Sequence, residues 1–314
     1  MAREQGRGRG PDVLGACGGI DAEYPGTLRT KAMKSAIRRS FVLSVALTAV
    51  APVLLTASEA RADWDPIMHR SDAGVDLYIW SARGIGTALP AVPFVQWDVA
   101  HNLFLGLRFP LATSFDPAYI GLGNPTASLW YSDIKGDLTW YAGGRVSLPL
   151  GLVDARGWRY ATAAGAAAMG FWDPFLWAND SLPFGGYGGI EYRFADFFVL
   201  RAGGDLGFYP SLSRGRNFGV VRSGDLDVAL QLKVEPEFQS KAGFGGGASL
   251  MTWVIPTASG DIAQTLIMPY FAYDSQKTFF MRAGALLALD RPLGPGFDRG
   301  GVASIYLQFG GHID

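Results

Sequence analysis

Cysteine is almost missing: Cys17 is the only one in 314 residues. That excludes a disulfide framework and any thiolate metal site. Histidine is nearly as scarce. His69, His101 and His312 fall far apart in the chain, which reads as scattered surface residues before it reads as a metal centre. Charged residues make up only 18% of the chain, and no basic block is present to hold nucleic acid. The patterns G-x-S-x-G, H-E-x-x-H and the P-loop are all lacking, so the chain is not expected to be an enzyme or to need a cofactor. Glycine pairs and triplets do occur at Gly143-Gly144, Gly185-Gly186 and Gly245-Gly246-Gly247. They lie inside strand-like segments and none opens a helix, so they relieve crowding on a sheet instead of cradling phosphate.

What is there points to β-structure. The chain is 49% hydrophobic and 13% aromatic and contains 42 glycines, a composition that suits many short strands and turns. Its N-terminus reads as an export signal. Lys34, Arg38 and Arg39 precede an apolar run from Phe41 to Leu55, and Ala60-Arg61-Ala62 supplies an A-x-A cleavage site. The run carries Pro52 and is short for a span of about 20 residues, so a cleaved signal is expected and not a membrane helix. Three segments follow: 1–32 as a non-native or disordered extension, with Met33 the expected start; 33–62 as signal peptide; and 63–314 as the mature domain. That domain carries 18 Lys and Arg against 23 Asp and Glu, a net charge of −5.

The segment Asp225–Glu235, DLDVALQLKVE, shows the rule of the mature chain. Leu226, Val228, Leu230, Leu232 and Val234 share one parity; Asp225, Asp227, Gln231, Lys233 and Glu235 share the other. A helix would scatter the five apolar residues, whereas a strand gathers them on one face. Segments of this kind recur from Val75 to Phe309, about twelve in all, the even number a closed antiparallel barrel needs. Long connections at 81–88, 113–125, 151–184, 210–218, 256–263 and 291–300 alternate with tight ones at 99–102, 134–137, 195–197, 239–242 and 275–277. That asymmetry matches outer-membrane barrels, with the tight turns on the periplasmic side. Several segments reach ten residues, long enough to cross a bilayer at a barrel's tilt. Aromatics such as Trp97, Trp140, Tyr192, Phe194, Phe198 and Phe279 gather near the turns, as in an interfacial girdle. The expected fold is therefore all-β: a closed antiparallel transmembrane β-barrel of about twelve strands, with a short helix in one long extracellular loop. A secreted soluble β-protein, its apolar face turned inward, is the alternative.

In these features the chain resembles the porin-type outer-membrane proteins of Gram-negative bacteria. Gly121-Leu122-Gly123-Asn124-Pro125, together with the strand running into Leu148-Pro149-Leu150-Gly151, is similar to barrels known as phenol-degradation-pathway transporters. Those carry Gly-x-Gly-Asp where Asn124 stands here. The resemblance implies a passive channel or transporter for small solutes in the outer membrane, with membrane lipid and a small-molecule solute as partners. A non-conducting structural or surface-interaction barrel is the alternative.

If the apolar parity faces lipid, the other faces the lumen. It would carry Arg108, Arg145, Arg193, Arg201, Lys233 and Arg282 against Glu191, Asp205, Asp225, Asp227, Glu235 and Asp290, six of each sign. Balanced charges suit paired networks in a narrow lumen, because an unpaired ion there is costly to desolvate. Mid-strand Arg145, Arg201 and Arg282 are expected at the narrowest level. The loop 151–184 is the other candidate. Its Ala-rich stretch 154–169 is helix-prone, with Asp154 as a possible cap, and Trp158, Trp172 and Trp177 mark an aromatic cluster. This loop would either fold into the barrel mouth and control access, or rest its aromatics on the outer leaflet and the rim.

Overall fold

The computed structural model describes residues 66–82, 86–115, 117–150, 156–178, 180–212, 225–257, 263–275, 277–291, 293–296 and 301–313. The N-terminal extension, the signal peptide, its cleavage site and Asp154 lie outside the described residues. The strands are β1 (Asp72–Ala82), β2 (Gly86–Ala100), β3 (Leu103–Arg108), β4 (Leu111–Phe115), β5 (Ala118–Leu122), β6 (Thr126–Lys135) and β7 (Leu138–Ser147). After helix α1 (Arg156–Ala168) come β8 (Phe184–Ala195), β9 (Phe198–Pro210), β10 (Leu226–Gln239), β11 (Phe244–Val254), β12 (Ala263–Asp274), β13 (Phe279–Ala288) and β14 (Ala303–His312).

Each strand pairs antiparallel with its neighbours, and β1 pairs with both β2 and β14, so the sheet closes on itself. The fourteen segments fill twelve places in the wall, because β4 continues the line of β3 and β5 leads into β6. Arg108 pairs with Thr126 below this break and Leu111 with Leu122 above it. Phe109-Pro110 and Gly123-Asn124-Pro125 make the break, since proline cannot donate to a ladder. The segment 113–125, expected to be a loop, is therefore mostly the β4–β5 hairpin: its turn signals mark a tight reversal at Pro117, flanked by residues that favour strand. β2 runs unbroken for 15 residues through Pro90 and Pro93.

The distribution of side chains is the inverse of a soluble core. On β10 the outward Leu232 is 52% exposed while the inward Glu235 is 0% exposed. Leu129, Val146, Ile190, Leu206, Leu250, Phe271 and Ile305 repeat the outward pattern around the wall. Small residues let the wall curve and pack: an added Cβ at Gly189 or Gly203 would lie 2.5 or 2.7 Å from the Tyr141 hydroxyl, which rests inside against both.

The lumen itself is divided. At the end bearing the long loops its wall is apolar, with Trp80, Ala112, Met251, Trp253, Leu266 and Leu286, and the segment from α1 to Ala178 packs among them. At the turn end a short 3-10 turn, Ile67–His69, is tied in by Gln96 Nε2, which donates to the carbonyls of Ile67 and Arg70, and by Trp130 Nε1, which donates to that of Met68.

Candidate functional site

The long loop enters the barrel because its residues are small enough and are met by the wall. Ala161, Ala164 and Ala168 are buried, and Gly165 allows contact with Ala112 and Trp177. Trp253 Nε1 donates to the Gly170 carbonyl across the lumen, and Ser304 Oγ donates to that of Ala168. Phe175 stacks edge-on with Tyr209, while the Arg145 guanidinium lies 3.7 Å over the Phe175 ring. Of the two placements open to this loop from sequence, the structure has it inside the mouth. Trp177 is buried and donates to Met169 Sδ; Trp158 and Trp172 are half-buried.

The wall break holds the loop. The Asn124 N–H donates to the Leu176 carbonyl at 2.7 Å, and Asn124 Nδ2 donates to that of Ala178 at 2.8 Å. A Cβ at Gly123 would stand 2.3 Å from the Leu176 oxygen, so this position admits only glycine without displacing backbone. Gly123→Ala is therefore expected to unseat the turn at 174–178. Limited trypsin digestion checks this: cleavage at Arg159 should become much faster than in the wild type, with the barrel left intact.

Below the loop lie three charged levels. The first joins Arg108 to Asp76 (2.6 Å) and Asp173 (2.7 Å), and Arg145 to Asp173 (2.9 Å) and Asp205 (2.6 Å). Gln231 also accepts from Arg145, and Tyr306 and Gln308 donate to Asp76. The second level sets Arg201 against Glu191 (2.7 Å), Glu235 (3.1 Å) and Glu237 (2.6 Å), with Arg282 reaching the last two and Lys233 pairing Glu235. The Tyr270 ring lies under the Arg282 cation, 4.9 Å from its centroid, and its hydroxyl donates to the same two glutamates; Ser249 adds a donor to Glu235 and Gln239 to Glu237. At the turn end, Arg70 bridges Asp72 and Asp274, and both ring nitrogens of His312 face those same two carboxylates. Every described ion at these levels has a counter-ion, which is how charge is held inside an apolar exterior.

Arg108, Arg145, Glu191, Arg201, Asp205, Lys233, Glu235 and Arg282 thus share this interior array. Asp227 is buried above it and accepts from Thr257, and half-buried Arg193 shares the inward parity of Glu191. Two residues differ. Asp225 precedes β10 and is exposed, and Asp290 lies beyond β13, exposed, accepting from Gln264 and the Thr265 N–H. Both sit outside the strands, Asp225 just before β10 and Asp290 just after β13, so the parity read from the sequence does not govern them. His312 is not the surface residue expected, because the chain stays in strand to that position. Sequence reading missed Glu237, Asp76, Asp72, Asp274 and Asp173. The first two share the parity of Glu235 and Tyr78 and were legible on that ground; the others lie at strand ends or in the loop.

Between the wall residues Arg108 and Arg145 of the first level and Ile67 and Met68 of the turn lies a cavity of about 270 Å³. Arg70, Arg108, Arg145 and Arg282 line it beside Asp72, Asp76 and Asp205, and Phe94, Trp130 and Phe280 supply ring faces.

No protein-family model matches the chain, and no curated protein matches it. Solved structures do. An outer membrane channel from Pseudomonas putida F1 superposes with a TM-score of 0.50 at 12% identity, covering 82% of this chain and 100% of the other. The NanC porin gives a TM-score of 0.50 at 8% identity, with 76% and 99% covered. At such identities the likeness is one of fold: this chain has the closed barrel that those outer-membrane channels have.

Proposed function

We propose that this protein is an outer-membrane channel for small solutes. The observation that carries this reading is the inverted barrel: Leu and Val outside, a paired ionic interior inside, and a charged cavity of about 270 Å³ within it. An apolar belt needs a hydrocarbon solvent, and ionised groups in a lumen need water or one another. The soluble alternative would have to leave that belt in water, where exposed apolar patches larger than a few hundred Å² are rare. The likeness to a bacterial outer membrane channel supports the same reading. In this arrangement the chain is exported on residues 33–62, the mature protein starts at Asp63, the tight turns face the periplasm, and the helix-bearing loop enters from the outside.

The loop packed into the mouth favours a second reading, a non-conducting structural barrel. Conductance separates the two. Protein purified from the outer-membrane fraction, its N-terminus verified by mass, should show the heat-dependent gel shift of a folded barrel and small, discrete conductance steps in planar bilayers. Well-folded protein that gives no steps and no liposome swelling with small solutes would remove the channel reading and leave the structural one.

A further inference from the structure

The channel reading leaves one feature unaccounted for, the position of the Asp173 carboxylate. We infer that Arg108 and Arg145 form a binding site for the carboxylate of a small solute, and that Asp173 is a tethered stand-in which the solute displaces. The inference rests on the channel reading for its biological sense, but the site itself is argued from geometry.

Each guanidinium already has a carboxylate fixed to the wall: Asp76 for Arg108 and Asp205 for Arg145, both at 2.6 Å. Those two pairs are neutral without help. Asp173 is a third carboxylate on two cations, and it is the one member of the group carried by the loop and not by a strand. Its withdrawal strands no buried cation. The second level is different, because each of its charges belongs to the wall and removing any one unbalances three cations set against three carboxylates.

The bonding is that of carboxylate recognition. One oxygen, Oδ2, accepts from Arg108 Nη1 at 2.7 Å; the other, Oδ1, accepts from Arg145 Nη1 at 2.9 Å. Charge-assisted bonds to both oxygens of a carboxylate are a strong and geometrically specific way for arginine to hold an anion. The loop bends to make them. Phe171 at φ 53° and Asp173 at φ 64° both lie in the left-handed region, tolerable for Asp and costly for Phe, on the order of 1 kcal/mol or more. Retraction of the loop releases that strain.

There is also room for a competitor. The cavity borders both arginines, and the Arg108 side chain keeps 34% of its surface exposed. Its 270 Å³ holds several non-hydrogen atoms beyond a carboxylate, and Phe94, Trp130 and Phe280 offer an apolar wall to a short tail. The class of solute that fits is a small monocarboxylate with an apolar body.

Butyrate and its neutral isostere butyramide are the probes, titrated calorimetrically into the detergent-solubilised full barrel and into Asp173→Asn. Because Asp173→Asn leaves both arginines paired, it should fold, with the heat-dependent gel shift as the check. Butyrate should bind the variant at least tenfold more tightly than the wild type, butyramide should bind neither, and in bilayers butyrate should raise wild-type open time over chloride at equal ionic strength. Equal butyrate affinity in the two proteins, equal binding of butyrate and butyramide, or no butyrate binding to the variant would each overturn the inference. A barrel that conducts salt without binding butyrate loses only this site, whereas folded protein of both forms that never conducts loses the channel reading, and calorimetry still judges the site.

Discussion

Excising residues 156–178 and bridging the gap with a short Gly-Ser linker is expected to raise single-channel conductance by about tenfold or more, because a lumen closed by packed side chains becomes a continuous aqueous path. The expectation rests on where the loop lies. Its alanines, Met169, Phe175 and Trp177 are buried among Trp80, Met251, Trp253, Leu266 and Leu286, and among the described residues they fill that half of the lumen. The wall should survive the excision, since α1 contributes no strand and the β7–β8 ladder closes from Leu138↔Tyr192 up to Val146↔Phe184 without it. Removing the loop does expose that apolar ring to water, so a modest loss of thermal stability should accompany the gain in conductance. Planar-bilayer recording of the two proteins under one salt condition checks it. Equal conductances would mean that ions already pass beside the loop.

The second large effect concerns stability. Arg201→Met is expected to cost about 3–5 kcal/mol, because it leaves Glu191 without its cation and Glu235 and Glu237 short of one in a buried cluster. As they stand, three carboxylates face the three cations Arg201, Lys233 and Arg282, and the cluster is neutral. Arg201→Lys keeps the charge but cannot span three carboxylates with one fork, so its loss should be clearly smaller. A compensated variant, Arg201→Met with Glu191→Gln, should recover part of the deficit, since it is the uncompensated charge and not the missing bond that dominates. Urea unfolding of the folded barrel in lipid vesicles, followed by the gel shift, measures all three. A single variant within about 0.5 kcal/mol of wild type would show that water reaches the cluster and screens it.

The two effects mark what was legible in the sequence and what was not. The wall was legible. In Leu226–Glu235 a period of two separates five apolar residues from the polar ones, and only an apolar exterior explains why Asp227, Gln231 and Glu235 are the buried set. Arg145, Arg201 and Arg282 follow from that same parity, and each is in the interior array. Partners were not legible, because which ions meet depends on the register between strands: Glu235 sits opposite Arg201 on β9, but Arg282 reaches it from β13 across the lumen. The loop was least legible. Trp158, Trp172 and Trp177 on an Ala-rich segment would suit a lipid rim as well as a lumen, and hydrophobicity alone does not distinguish them. What decides is Gly123 and Asn124, whose backbone and amide meet Leu176 and Ala178, and a turn motif does not announce its distant partner. The same holds for Asp173, an ordinary loop residue until Arg108 and Arg145 stand on either side of it.

The closure of β1 on β14 also governs how the molecule assembles. Asp76 takes hydrogen bonds from Tyr306, 230 residues away, and Gln308, 232 away, while His312 meets Asp72 across 240. Joining ends that far apart carries an entropic cost of about 5 kcal/mol before any contact is made, and chains rich in such distant pairings fold slowly. All the other neighbours in the twelve-place wall follow one another directly in the chain, so the hairpins can zip in sequence and leave this one seam for last. Until it zips, Asp76 lacks two of its donors and β1 and β14 present bare edges. The folding intermediate of greatest lifetime should therefore be an unclosed sheet, vulnerable along the two strands whose meeting completes both the ladder and the charge network.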